Sequence, residues 1–482
     1  MSRISSALLA LLLLALPVFG EDQDDRYQQN INRDMSYTGG TVTIDHRFGS
    51  LTIRTHGANT VSVRATIRSS DPDIGRQIQV QISNGGAPTI KTIFPSIHSH
   101  GGHLSYSVDM TVTVPTNAPV NAQNEFGNID ARGLQAASRI ENKQGSIIVA
   151  DTRGAQTVIN QFGSIEVTGS RGDLTVTNTN GSIKVQTVDG ALTATNRFGS
   201  ITAVDVQRNA TITNSNGSVE VTDVGTGLKV VNAFGSVKAS TIGGAADLTV
   251  GNARVEVSNV KGAATIRNSF GTVIARTIGG LLTVDGDNSK VDASDISGSA
   301  TIDTSFGSVT LSNVNGNAKI VNANGSIKVT DVDGMLDVQN QFASIRAERI
   351  RHTVTATGSN GSITLNEIGG AVKVRNSFAS AFVDGVTGAV DIQNDNGAIA
   401  VSGLRGLCHP ITLRTSFSSI KVSLPDGVGY NVNARTTFGH VRTDLPVTTT
   451  GEVGETLVGR ISGGGCKLEL ANSNGNITIQ RQ

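Results

Sequence analysis

Three sets of residues in this chain have side chains capable of chemistry. His98, His100 and His103 lie within PSIHSHGGHLSY, a spacing that can present several imidazoles to zinc or copper, with glycines that let the loop fold around an ion. No Cys or carboxylate partner lies beside them, so a solvated loop is expected and no metal site is assigned. His46, His56, His352, His409 and His440 are scattered, and no Ser-His-Asp or Cys-His arrangement emerges from their positions. Glycoside hydrolysis needs paired carboxylates. Here Asp189, Asp223, Asp331 and Asp333 fall where turns are expected and Asp is ordinary turn chemistry. The GGxGxD signature of calcium-binding roll repeats is missing. The reading therefore assigns no catalytic residue, no metal ligand and no cofactor.

The third set is Cys408 and Cys466. Each lies two or three residues upstream of the apolar residue opening a strand, Ile411 and Leu468, so both occupy nearly the same turn and a disulfide is a candidate. Against it, a coil containing Phe438 lies between them in sequence. Two stacking steps of about 4.8 Å would exceed the reach of a disulfide.

These residues must be positioned by a repeat. Phe126, Phe162, Phe198, Phe234, Phe270, Phe306, Phe342 and Phe378 recur every 36 residues, and Asn or Gln takes the same place halfway between, so the true period is 18. A gapless short period predicts an all-β, single parallel β-solenoid, a β-helix of right-handed coiling by the crossover rule, with β-rich caps at both ends. From Phe126 to Phe417 this gives roughly 16 coils and a rod of about 80 Å. An eight-bladed propeller of 36-residue blades is the competing fold. It is disfavoured because both halves of each 36-residue unit carry the same Asn at the same phase.

In SIKVQTVDGALTATNRFG, residues 182 to 199, alternation sends Ile183, Val185, Leu192, Ala194 and Asn196 inward and Lys184, Thr193 and Thr195 outward. Asn124, Asn142, Asn160, Asn178, Asn196 and their successors, two places before each marker, are expected to form a column of stacked amides bonding to one another along the axis. The Phe markers have two readings. Each ring covers the edge of the core at a corner, or the rings project outward as a surface ladder with a spacing of about 10 Å, suited to an extended glycan or a protein surface.

Composition excludes several function classes. Gly is 56 of 482 residues, Pro 9, Tyr 4 and Trp absent, so turns are plentiful and aromatic binding platforms few. With 39 basic and 39 acidic residues, nothing favours nucleic acid or an anionic membrane. Residues 1–20 read as a signal peptide, with Arg3, an apolar run from Ala7 to Leu16 and a small residue at Gly20. The remaining chain has no run long enough for a transmembrane helix. The expected organisation is then a polar linker at 21–36, an N-terminal cap at 37–120 that opens on one solenoid-like unit around Phe48, the solenoid at 121–425, and C-terminal coils and cap at 426–482.

The leader, the segment TVTVPTNAPVNAQNEFGNID, the many copies of NxxGSIxV and the ending GRISGGGCKLELANSNGNITIQ together resemble the bacterial putative-adhesin domain of unknown function, a secreted β-strand repeat family, over residues 37–482. The resemblance implies an exported β-solenoid with an adhesive or envelope role and supplies no catalytic residues. The expected function is a non-enzymatic adhesin-like, scaffolding or envelope-associated binding protein, periplasmic, cell-surface or extracellular. Its expected partner is a glycan, an envelope polymer or a protein surface. The alternative is a carbohydrate-active β-helix, a polysaccharide lyase or hydrolase.

Overall fold

The computed structural model describes residues 27–83, 87–96, 104–449 and 453–482. It is a parallel β-solenoid of about 17 turns with 18-residue coils. Successive coils pair in register: Ile183 faces Ile201, and Leu192 faces Ala210. Equivalent residues therefore touch their counterparts one coil away, as a stacked rod requires and a propeller does not.

Each coil is built by alternation broken at three corners. In Ile183–Val188 and Leu192–Phe198 the residues Ile183, Val185, Val188, Leu192, Ala194 and Asn196 are all buried. Val185 and Val188 both point inward although they lie three positions apart. The reason is Thr187, whose φ of 59° puts one left-handed residue in the strand and resets its phase. The same phase holds Asp151, Asp205, Asp223, Thr241, Asn259, Thr277, Asp295, Asn313, Asp331, Arg349 and Glu367, each with φ between 54° and 60°. Simple alternation did not anticipate this corner. Its signal is the recurrence of Asp and Asn at one phase, with Gly at Gly169, since these residues enter the left-handed region most readily; the β-branched Thr187, Thr241 and Thr277 adopt it against their own preference.

The corner after each marker relies on glycine. Gly181 has φ +130°, and a Cβ there would lie 2.2 Å from the carbonyl oxygen of Gly163 in the coil before. Where Ala253 replaces glycine the chain runs through the corner as one strand, Ala246–Val260, and its neighbour Ala264–Ile278 follows it in register. Beyond that point the strands end two residues before the marker, as in Ala300–Thr304, instead of running through it.

The Asn column is present, but its bonding differs from a stack of mutual amides. Nδ2 of Asn142, Asn160, Asn178 and Asn196 donates at 2.8–2.9 Å to the carbonyl of Gly127, Gly145, Gly163 and Gly181, a turn residue of the preceding coil. At a corner that carbonyl needs a donor, and the amide supplies it. Oδ1 of Asn142 and Asn160 is left without a partner. Where Thr304, Thr415 and Thr436 stand in the same column, their hydroxyls donate to Ser289, Gly397 and Gly475 carbonyls instead.

The ends depart from the expected boundaries. Tyr27–Ser36 is a strand paired antiparallel with Thr60–Ser69, so most of the supposed linker at 21–36 belongs to the cap. Its polar composition concealed an edge strand whose apolar side chains Tyr27, Ile31 and Met35 pack on the cap. Pro72–Gln77 forms a short helix capped by the Asp71 carboxylate, with Pro in its first turn. The signal-peptide segment 1–20 lies outside the described residues.

Candidate functional site

The phenylalanine line is the most distinctive surface of the rod. Asn196 is the last inward residue of its strand, and Arg197 and Phe198 are then both exposed before the chain turns at Gly199. Two successive outward residues put the ring outside the corner. Phe126, Phe162, Phe198, Phe234, Phe270, Phe306, Phe342 and Phe378 are 36% to 63% exposed. The reading in which these rings cover the core edge is therefore wrong for the mid-rod coils, because the buried Asn already fills that edge. Phe198 pairs with Asn180 on one side and Asn216 on the other, so the rings alternate with small polar side chains and stand two strand spacings apart, about 10 Å. The Arg197 guanidinium lies 5.3 Å from the Phe198 ring centre.

At its amino end the line is structural, through Phe48 and Phe126. Phe48, in the first coil, stacks on Phe126 at 4.9 Å and meets Phe94 and Tyr106 edge-on at 5.0 and 5.3 Å.

The left-handed corner carries shallow grooves. A groove of about 350 Å³ is lined by Asp331, Asp333, Arg349, Arg351, Glu367 and Arg405. Arg349 grips Asp331 through two bonds of 2.6 and 3.0 Å and also contacts Glu348. The Arg349 hydrogen bonds hold the Asp331 carboxyl below its ordinary range. A general acid for glycoside cleavage needs the opposite shift. Asp333 lies 3.7 Å from Arg351. Asp223 shares the left-handed phase of Asp331, and Asp189 lies at the following turn, lining a second groove with Asp151, Arg153 and Arg171. Among the described residues no group of three or more His, Cys, Asp or Glu could hold a metal ion. His98, His100 and His103 lie outside the described residues.

Cys408 and Cys466 are joined by a disulfide with Cα atoms 5.7 Å apart. The coil containing Phe438 does not intervene. The strand Cys466–Asn472 inserts between Ile411–Thr415 and Tyr430–Arg435, so the cysteines are one stacking step apart although 58 residues separate them in sequence.

Among the described residues no helix is long and apolar enough to cross a membrane. No family model matches the chain, and no curated protein is similar to it. Among solved structures it is similar to a putative cell adhesion protein from Clostridium sporogenes ATCC 15579, at 8% identity over 50% of this chain and 100% of that one, with a TM-score of 0.23. It is also similar to a putative adhesin from Parabacteroides distasonis ATCC 8503, at 10% identity over 72% of this chain and 97% of that one, with a TM-score of 0.18. Both carry the adhesin name that the sequence resemblance suggested.

Proposed function

We propose that this chain is an exported, non-enzymatic, adhesin-like rod that engages an extended glycan, an envelope polymer or a protein surface along its phenylalanine line. The supporting observation is the exposure of eight rings at a constant 36-residue interval along one edge of a stacked rod. Exposed rings cost solubility and give the mid-rod core little, so a contact role accounts for their regularity. A scaffold or envelope-associated role uses the same line. The balanced charge gives no reason to expect nucleic acid as the partner.

The test is binding of the purified protein to glycans, envelope polymers and matrix proteins, beside a variant carrying Phe234→Asn, Phe270→Asn and Phe306→Asn. Asn already occupies this corner in the intervening coils, so the variant should fold. Binding that the variant loses supports the proposal; no binding to any panel member, or binding unchanged in the variant, contradicts it. Release of sugar from a polysaccharide panel would replace it with the enzymatic reading.

A further inference from the structure

The phenylalanine line is not a continuous apolar strip but a row of rings and gaps. Seven of its rings, Phe162 to Phe378, are 43% to 63% exposed. One Asn stands between each ring and the next: Phe198 flanks Asn180 and Asn216, Phe234 flanks Asn216 and Asn252, and Phe270 flanks Asn252 and Asn288. Farther along, the backbone N–H of Phe342 donates to Ala323 and that of Phe378 to Ser359, so the markers stay one coil apart. The rings therefore recur about 10 Å apart, with each gap one strand step from the ring on either side.

The amino end shows what fits such a gap. Phe48 and Phe126 occupy adjacent coils of this same line, and their rings stack face to face, 4.9 Å apart with 10° between their planes. One strand step is thus an aromatic stacking distance. A ring entering an Asn gap from outside would lie one step from the ring above and one step from the ring below, in the same arrangement. An occupant that fills every gap must carry its own rings two strand steps apart, and a second copy of the line has that spacing.

Area and charge agree with that occupant. At about 200 Å² per Phe and about half exposed, the seven rings offer about 700 Å² per rod and about 1,400 Å² for a pair, the size of a stable interface. From Phe306 to Phe378 the residue before each marker is Ser, Ala or Gln and the residue two after it is always Ser, so nothing charged stands at those places to hold a second rod away. Direction follows from the same residues. In a parallel pair about a two-fold axis, ring would meet ring and Arg197 would meet its own copy. In an antiparallel pair centred between Asn252 and Phe270 every ring faces a gap, and Lys143 and Arg197 lie against the uncharged run. We propose that two copies of this chain associate side by side and antiparallel with their phenylalanine lines interleaved, a pairing that rests on the reading of that line as a contact surface.

The experiment measures the mass of the purified protein by sedimentation across a range of concentrations. The unaltered chain should form a dimer that dissociates on dilution. Phe234→Asn with Phe270→Asn and Phe306→Asn removes three rings and should raise the dissociation constant at least about tenfold. Asn216→Phe with Asn252→Phe fills two gaps, which the adjacent Phe48 and Phe126 show the corner to tolerate; it adds apolar surface yet should weaken the dimer by a similar factor. A dimer indifferent to the lost rings, or one as tight or tighter with the gaps filled, is unspecific apolar contact and overturns the proposal. Single spin labels on Ser218→Cys and on Ser362→Cys, with the native cysteines bridged, read the direction: an antiparallel pair sets label and copy about 24 Å and about 53 Å apart along the rod, and equal short separations would overturn it. An unaltered chain that stays monomeric refutes the pairing. If the triple Asn variant then still loses binding to a glycan, an envelope polymer or a matrix protein, the contact reading of the line stands without it; if it does not, both fall.

Discussion

At the amino end the first coil, Val42–Asp45 with Leu51–His56, lies between a segment that follows it, Thr89–Ile93 with Tyr106–Pro115, and the second coil, Val120–Phe126 with Ile129–Arg132. At the carboxyl end the last coil, Cys466–Asn472 with Ile477–Arg481, lies between Ile411–Leu424 and a segment that precedes it, Tyr430–Arg435 with Val441–Thr443. Each terminal coil is thus covered by chain belonging to another position in the sequence. Both ends then leave parallel stacking through antiparallel pairs, Tyr27–Ser36 on Thr60–Ser69 and Val447–Thr449 on Thr456–Ile461. Reversing direction spares each end an open parallel edge, the hazard of every solenoid. The chemistry differs. The amino end relies on Phe48, Phe94, Tyr106 and Phe126 and on a buried His46; the carboxyl end relies on the Cys408–Cys466 bond. The amino cap is tied by a half-buried cluster of packed rings, whereas a thin inserted coil gains most from a covalent bond.

The largest expected break in this comparison is covalent. Reducing the disulfide, or replacing Cys466 by Ser, removes a constraint on a 58-residue loop, worth about 4 kcal/mol in the chain-entropy account. Because a solenoid opens locally, the loss should appear as faster amide exchange in Ile411–Leu424 and Tyr430–Arg481, with the amino cap unchanged. Equal acceleration at both ends would show that the bond stabilises the whole rod.

Acid should do the reverse. Burial away from water holds the His46 imidazole down at about 4, against 6.5 when unfolded. A base whose folded pKa is depressed binds its proton more readily in the unfolded chain, so stability is full above pH 6.5, falls between 6.5 and 4, and levels off below. The amino cap should lose about 3 kcal/mol over that window. Tyr27, Tyr37 and Tyr106 lie in the cap and only Tyr430 near the other end, so tyrosine fluorescence during denaturation reads mainly this loss. Flat stability from pH 7 to 4 would contradict it.

A smaller effect separates structural rings from surface rings. Phe48→Ala deletes three aromatic pairs and should cost about 2 kcal/mol of cap stability, read by the same fluorescence. Phe234→Ala, on a ring 54% exposed, should cost about 0.5 kcal/mol or less. Similar costs at the two positions would make the phenylalanine line part of the core and remove the basis for its contact role.

Much of this architecture was legible because the period is short and unbroken. Inward residues such as Ile183, Val185 and Leu192 follow from alternation alone. Where a ring points was not legible, since it depends on whether a corner places one or two residues outward in succession, and Arg197 and Phe198 do the latter. The bonding of Asn142 was misread for a related reason: a column of equal side chains suggests that they bond to each other, but the turn carbonyls at the corner were the acceptors in need. Sequence order also hides stacking order. Two coil-like segments, 430–443 and 466–481, can each follow the coil at 411–424, and the distance between Cys408 and Cys466 depends on which one does.

Stacking itself is the claim on which the phenylalanine line and its pairing rest. With the two native cysteines bridged, spin labels on Cys at positions 193 and 265, and in a second variant at 193 and 355, mark one outward column four and nine coils apart. Pulsed dipolar spectroscopy should give mean separations of about 19 Å and about 43 Å, growing in proportion to the number of coils. A separation that rises and then shrinks with sequence distance, as labels passing around a ring would give, would contradict the rod and with it the line and its pairing.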